Sequence, residues 1–176
     1  MVTIICGTNR SESTTKKIAD IYSHILMEKG ASSRILELKD LPQDFIFSAQ
    51  FENSGKNEAF NEVQQIIDES FKFVFIVPEY NGSFPGVLKS FLDTLKFPHS
   101  FKGKVAGIVG LSSGTQGSSL AMSHLTDIFN YLGMFVLPIK PRLGNVNKIL
   151  KDGQIEDKFL MDLLIMQAEQ LVKFNC

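Results

Sequence analysis

The stretch Pro78-Glu79-Tyr80-Asn81-Gly82-Ser83-Phe84-Pro85-Gly86 lies between an apolar run and a helical pattern, and its placement decides the fold. Ahead of it, Phe73-Val74-Phe75-Ile76-Val77 has the length and β-branched content of a buried strand. Behind it, Val87, Leu88, Phe91, Leu92 and Leu95 recur at helical spacing. A loop at the carboxyl end of a buried strand is where open α/β sheets bind ligands. Gly82 and Gly86 let backbone approach closely, while Pro78 and Pro85 hold it stiff, so a flat ring can rest there. The plainer alternative is a structural turn joining strand to helix.

Outward from this loop, short apolar runs alternate with longer periodic segments. Strands are expected at residues 2–6, 33–38, 71–77, 105–111 and 134–137. Helices are expected at 14–29, 58–69, 86–95, 117–132 and 155–174. Residues 40–56 read as irregular, and Pro138 with Pro141 brackets an exit loop. Such alternation predicts an α/β chain with a five-stranded parallel sheet and helices on both faces, a three-layer sandwich. In the 2-1-3-4-5 order the chain reverses across the sheet between strands 1 and 3. The loops after those strands are the two most specialised segments of the sequence, which favours that order and a single ligand site at their junction.

The chain has 176 residues, 44% hydrophobic and 21% charged, and fits one globular domain spanning residues 1–176. A net charge of −1 gives no field to attract nucleic acid or an anionic membrane. Cys6 and Cys176 form no metal spacing and no disulfide framework, which points to a reducing cytoplasm. No apolar run reaches the roughly 20 residues that cross a bilayer, and no basic leader precedes the first strand. His24, His99 and His124 have no ligand spacing, so no metal site is expected.

Gly7-Thr8-Asn9-Arg10-Ser11-Glu12-Ser13-Thr14-Thr15 precedes a helix N-terminus, whose amides and dipole favour an anion. Thr8, Ser11, Ser13, Thr14 and Thr15 add hydroxyls, and Arg10 adds a forked cation. Neither the dinucleotide fingerprint nor the P-loop pattern is present, so one phosphate fits better than a pyrophosphate. A Ser/Thr-capped helix with solvated hydroxyls is the competing reading. Taken together, the two loops point to a mononucleotide, its phosphate at the first and its planar ring at the second. Leu111-Ser112-Ser113-Gly114-Thr115-Gln116-Gly117 is a third loop at the same sheet edge. It is either a helix cap or a set of donors that stabilises charge on a reduced ring.

These residues resemble the NADPH-dependent FMN reductases of the flavodoxin-like superfamily, which include small quinone, azo-dye and chromate reductases. The resemblance rests on Gly7, Thr8, Arg10 and Ser13 near the N-terminus, on the run from Pro78 to Lys89, and on the Ser/Gly-rich loop from Ser112 to Gly117. It implies a flavodoxin-like fold and FMN-phosphate contacts from Thr8, Arg10, Ser13, Thr14 and Thr15. It implies ring contacts, largely through backbone, from Pro78, Glu79, Tyr80, Asn81, Gly82 and Ser83. Ring-edge contacts are implied from Ser112, Ser113, Gly114 and Gln116. Two positions depart from the family pattern: Gly117-Ser118 stands where Gly-Gly is common, narrowing the approach to the ring, and Thr15 stands where Asn or Ser is usual.

The implied activity is ping-pong hydride transfer from NADPH or NADH to flavin N5, then to a quinone, azo, metal-ion or free-flavin acceptor. No side chain is expected to act as general acid or base. The rival functions are a flavodoxin-type electron carrier and a nonenzymatic redox-sensing module. A near-neutral chain with no Trp and three Tyr favours the enzyme over an acidic carrier that sandwiches the ring between aromatics. Apolar residues of 117–132 spread beyond one helix face, so that helix and 87–95 are expected to form a homodimer, or a tetramer, with their symmetry mates. Phe45, Phe47 and Phe51 either line a substrate mouth or cover a sheet edge.

Overall fold

A computed structural model describes residues 1–175; Cys176, half of the cysteine reading above, lies outside the described residues. The strands β1 (Val2–Cys6), β2 (Ser33–Glu37), β3 (Lys72–Pro78), β4 (Val105–Leu111) and β5 (Phe135–Val136) form one sheet in the order β2-β1-β3-β4-β5. All these pairings are parallel, with Val2 opposite both Ser33 and Lys72, and Lys72 opposite Val105. The expected order is therefore observed, and the neighbours β1 and β3 carry their following loops to one edge.

Residues of successive sidedness on the strands feed two separate cores, as a strand period of two requires. On one face, Ile4, Val74, Ile76 and Val109 pack against Ile18, Tyr22 and Leu26 of helix α1 (Thr14–Glu28) and Leu164, Ala168 and Leu171 of helix α7 (Lys158–Lys173). On the other face, Ile5, Phe73, Phe75 and Ile108 meet three helices. These are α3 (Glu58–Glu69), α4 (Gly86–Thr94) and α5 (Ser119–Tyr131).

Between α1 and α7 a buried polar bridge crosses the first core. The Tyr22 hydroxyl donates to Gln167 Oε1 at 2.9 Å, and Gln167 Nε2 donates to the carbonyls of Ile108 (3.0 Å) and Ile139 (2.7 Å). Gly107 leaves the room for this, since a Cβ there would stand 2.9 Å from Gln167 Oε1.

Three expected segments differ in detail. The edge strand is only two residues long, because Pro138 and Pro141 cannot donate to a ladder. The chain leaves β4 there and returns as β6 (Arg142–Leu143), again paired with β4 at Gly110 and Leu111. The last helix starts at Lys158, capped by Asp157, which accepts from the Leu160 amide. Before it come a short helix α6 (Val146–Ile149) and a hairpin of β7 (Leu150–Lys151) and β8 (Gln154–Ile155). Asp152 and Gly153 turn that hairpin with φ of 47° and 77°. Residues 40–56 hold one α-helical turn, α2 (Phe45–Ser48), and a 3-10 turn at Phe51–Asn53; Phe45 is buried and stacks on Phe60 at 5.7 Å. Phe45 therefore covers core, whereas Phe47 and Phe51 face solvent.

Removing the Tyr22 hydroxyl leaves the Gln167 carbonyl oxygen buried without a partner. Tyr22→Phe is expected to lower stability by about 1–3 kcal/mol, read as a lower urea midpoint with an unchanged slope.

Candidate functional site

Helix α1 begins where the loop after β1 ends. Ser13 caps it, its Oγ accepting from the Lys16 amide at 3.3 Å. The amides of Thr14 and Thr15, in the first turn, have no acceptor in the preceding loop. The hydroxyls of both threonines also lack a partner among the described residues, although Thr15 is buried. Arg10 is exposed and makes no ion pair among the described residues. Orphan amides, unpaired hydroxyls and a free guanidinium at one helix end form a donor set for a single phosphate. Gly7 sits beneath it, where a Cβ would come 3.0 Å from the Ile76 carbonyl.

The loop after β3 is built as a tight two-residue turn. Tyr80 and Ser83 exchange backbone hydrogen bonds at 2.8 and 3.0 Å. Asn81 and Gly82 between them both have positive φ, 50° and 72°. An Asn-Gly pair satisfies a turn that needs left-handed backbone at both central positions. The Tyr80 hydroxyl lies 2.8 Å from Thr8 Oγ1, so this turn is bonded directly to the phosphate loop. Thr8 Oγ1 also accepts from the Arg10 amide at 3.3 Å. Thr8 is thus engaged in joining the loops, beyond the phosphate contact expected of it.

The loop after β4 is held from below by the segment that follows the exit loop. The Ser112 amide donates to the Leu143 carbonyl, Asn145 to Gly114 and Val146 to Ser112, at 3.1, 2.7 and 3.0 Å. Contact is close enough to require glycine: a Cβ on Gly110 would stand 2.4 Å from the Gly117 carbonyl, and one on Gly144 2.5 Å from that of Thr115. The Ser112 hydroxyl donates to the Gly114 carbonyl and accepts from the Gly117 amide, so it shapes the loop. The amides of Ser113, Gly114, Thr115 and Gln116 make no hydrogen bond among the described residues and remain as donors. Gly117 and Ser118 take φ of 57° and 65°, which delays helix α5 to Ser119. Ser118 is fully buried over Gly110, its Oγ unpartnered, so it does not narrow the exposed side of the loop.

The three loops enclose a cleft of about 240 Å³. Thr8, Arg10, Ser13, Thr14 and Thr15 line it from the first loop. Pro78, Glu79 and Tyr80 contribute from the second, with Ser112 and Ser113 from the third. Ser11, Asn81, Gly82, Ser83, Gly114 and Gln116 lie in the same loops but outside its wall. Sequence reasoning missed Glu12, Leu111, Val146 and Asn147, which also line the cleft. The return of the chain as β6 brings the last two there, and no local pattern announces that return. Glu12, whose backbone is left-handed with φ 52°, comes from the first loop.

Electrostatics exclude one nearby group from the chemistry. Cys6 ends β1 fully buried, and burial, with Glu37 adding to it, raises its thiol pKa to about 12. The thiol stays protonated at neutral pH and is not a nucleophile. No group of three or more His, Cys, Asp or Glu side chains able to hold a metal occurs among the described residues.

Comparison with known proteins gives the family and the fold. The family model for NADPH-dependent FMN reductase matches residues 1–146. A quinone reductase of Pseudomonas putida is 28% identical over 162 residues, covering 89% of this chain and 85% of that protein. A 2-hydroxy-1,4-benzoquinone reductase of a Burkholderia species is 30% identical over 139 residues, 77% of this chain and 73% of the relative. Among solved structures, the flavoenzyme NAD(P)H:(acceptor) oxidoreductase FerB of Paracoccus denitrificans superposes with a TM-score of 0.76 at 25% identity, covering 98% and 97% of the two chains. With the strand order β2-β1-β3-β4-β5 and a family model that matches residues 1–146, the chain belongs to the NADPH-dependent FMN reductase family, flavodoxin-like oxidoreductases that use FMN and take electrons from NAD(P)H.

Proposed function

We propose that this chain is a single-domain, cytoplasmic quinone reductase that holds FMN across its three loops and works by a ping-pong cycle. The observation that carries the reading is the joining of the first two loops through the Thr8–Tyr80 hydrogen bond at the switch point of the sheet. In this reading Arg10, Ser13, Thr14 and Thr15 hold the phosphate. The turn from Pro78 to Ser83 supports the ring, and the free amides of Ser113 to Gln116 face its polar edge. Bound there, FMN supplies the centre that accepts hydride from a nicotinamide and passes it to an acceptor. The chain's own contribution is to orient the ring and to place donors where negative charge develops. Glu79 lines the cleft but has no proton-transfer role. A quinone as acceptor is supported by the relatives from Pseudomonas putida and Burkholderia. No helix among the described residues is long and apolar enough to cross a membrane.

The same reading includes a homodimer. The outer face of α5 leaves Tyr131 79% and Leu120 57% exposed, and the loop after α4 leaves Phe97 65% exposed. Phe97 and Tyr131 stack at 6.2 Å beside an apolar cavity of about 440 Å³ lined by Leu92, Phe101 and Ile128. Such a patch suits burial against a second copy.

Three experiments test these statements. Anaerobic NADPH should bleach the visible band of the FMN-loaded protein, and benzoquinone should restore it; an unchanged spectrum would remove the activity. Arg10→Ala should weaken FMN binding about 10- to 100-fold, the loss of a charge-assisted bond, while leaving riboflavin binding unchanged. Equal losses for both would move the phosphate elsewhere. Light scattering should give twice the 19.7 kDa chain mass, and Tyr131→Asp should halve that value; a monomeric native protein would reject the interface.

A further inference from the structure

The turn from Tyr80 to Ser83 projects beyond the end of β3, and its own two backbone bonds fix its shape but not its direction. Its direction is set by what it touches on either side. On the side of the phosphate loop, the Tyr80 hydroxyl meets Thr8 Oγ1. On the opposite side, Ser83 Oγ lies 2.9 Å from Nδ1 of His124, which stands on α5, 41 positions later. One helical turn earlier on α5, Leu120 Cδ1 would lie 3.9 Å from a Cβ built on Gly82. The first turns of α5 therefore form a wall against the loop, and His124 supplies its one hydrogen bond to it among the described residues.

We propose that His124 is a positioning residue of the cofactor site, holding the Tyr80–Ser83 turn against α5 through Ser83 so that the turn meets the FMN ring in one orientation. This rests on the reading of that turn as the ring support. His124 is exposed and makes no ion pair among the described residues, so its only specific partner is the loop. The geometry is selective. Nδ1 is bonded directly to the ring carbon that follows Cβ, the place an asparagine amide oxygen or nitrogen takes. A glutamine amide stands one methylene farther out. The bond is satisfied with either atom as donor, because the serine hydroxyl rotates to suit the tautomer.

The test is fluorescence titration of FMN into purified variants, with thermal unfolding of the FMN-free proteins alongside. A neutral hydrogen bond contributes a factor of about five in affinity. His124→Ala and Ser83→Ala should each weaken FMN binding about fivefold without moving the FMN-free unfolding temperature. The double variant should be no weaker than either single, as expected when both remove one interaction. His124→Asn should recover native affinity, and His124→Gln should not. Native affinity in His124→Ala, equal weakness of the Asn and Ala variants, or additive losses would overturn the proposal. Gly82→Ala separates it from the reading beneath it, since that residue needs φ of 72°. If Gly82→Ala weakens FMN binding and His124→Ala does not, the brace alone falls. If neither changes binding, the assignment of the turn to the ring falls too.

Discussion

Parallel pairing of β1 with β3 is the constraint on which the site depends. The partners Cys6 and Ile76 stand opposite each other although 70 positions of sequence separate them. That register brings the ends of the two strands to one level, so the loops that follow start side by side. The Gly7 amide extends the ladder by donating to the Ile76 carbonyl at 2.9 Å, and Gly7 has no side chain to push the strands apart. One step later Thr8 meets Tyr80. Strand order and the positions of the first two loops are thus one fact, since α1 and α3 pack on opposite faces and send the chain to opposite sides of β1.

The architecture was legible because its signals are local. Buried parallel strands read as unbroken apolar runs, as in Phe73 to Val77 and Val105 to Leu111. Amphipathic helices read as a repeat near four, and Ser13, Asn57 and Asp157 cap theirs as such residues do. The two loops at the switch point stood out through Asn81-Gly82 and the hydroxyl-rich run after Gly7. In both, a special backbone demands a special composition.

What stayed hidden was set by contacts distant in sequence. Val146 and Asn147 reach the cleft only because Pro138 and Pro141 break the edge strand and the chain rejoins β4 afterwards. Nothing in residues 142–147 marks them as neighbours of Ser112. The Ser112 hydroxyl looked like a ligand donor and is used within its own loop. Phe45 could be read from sequence as lining a mouth or covering a sheet edge, and only its burial and stacking on Phe60 decide against the mouth. The late start of α5 has the same origin: Gly117 and Ser118 are left-handed because β4, β6 and the loop meet there with no space for a helical turn.

The clasp between the third loop and the residues after β6 bears on the thermodynamics of recognition. Three backbone hydrogen bonds and two glycine contacts fix that loop with protein groups alone. Its free amides are therefore aimed before anything arrives, and little chain entropy remains to be lost on association. Affinity is then governed by the exchange of water for ligand at rigid donors. Slack introduced at the sheet's far edge, through a longer passage between Val136 and Arg142, would reach the ring pocket as lost preorganisation, with every contacting residue intact.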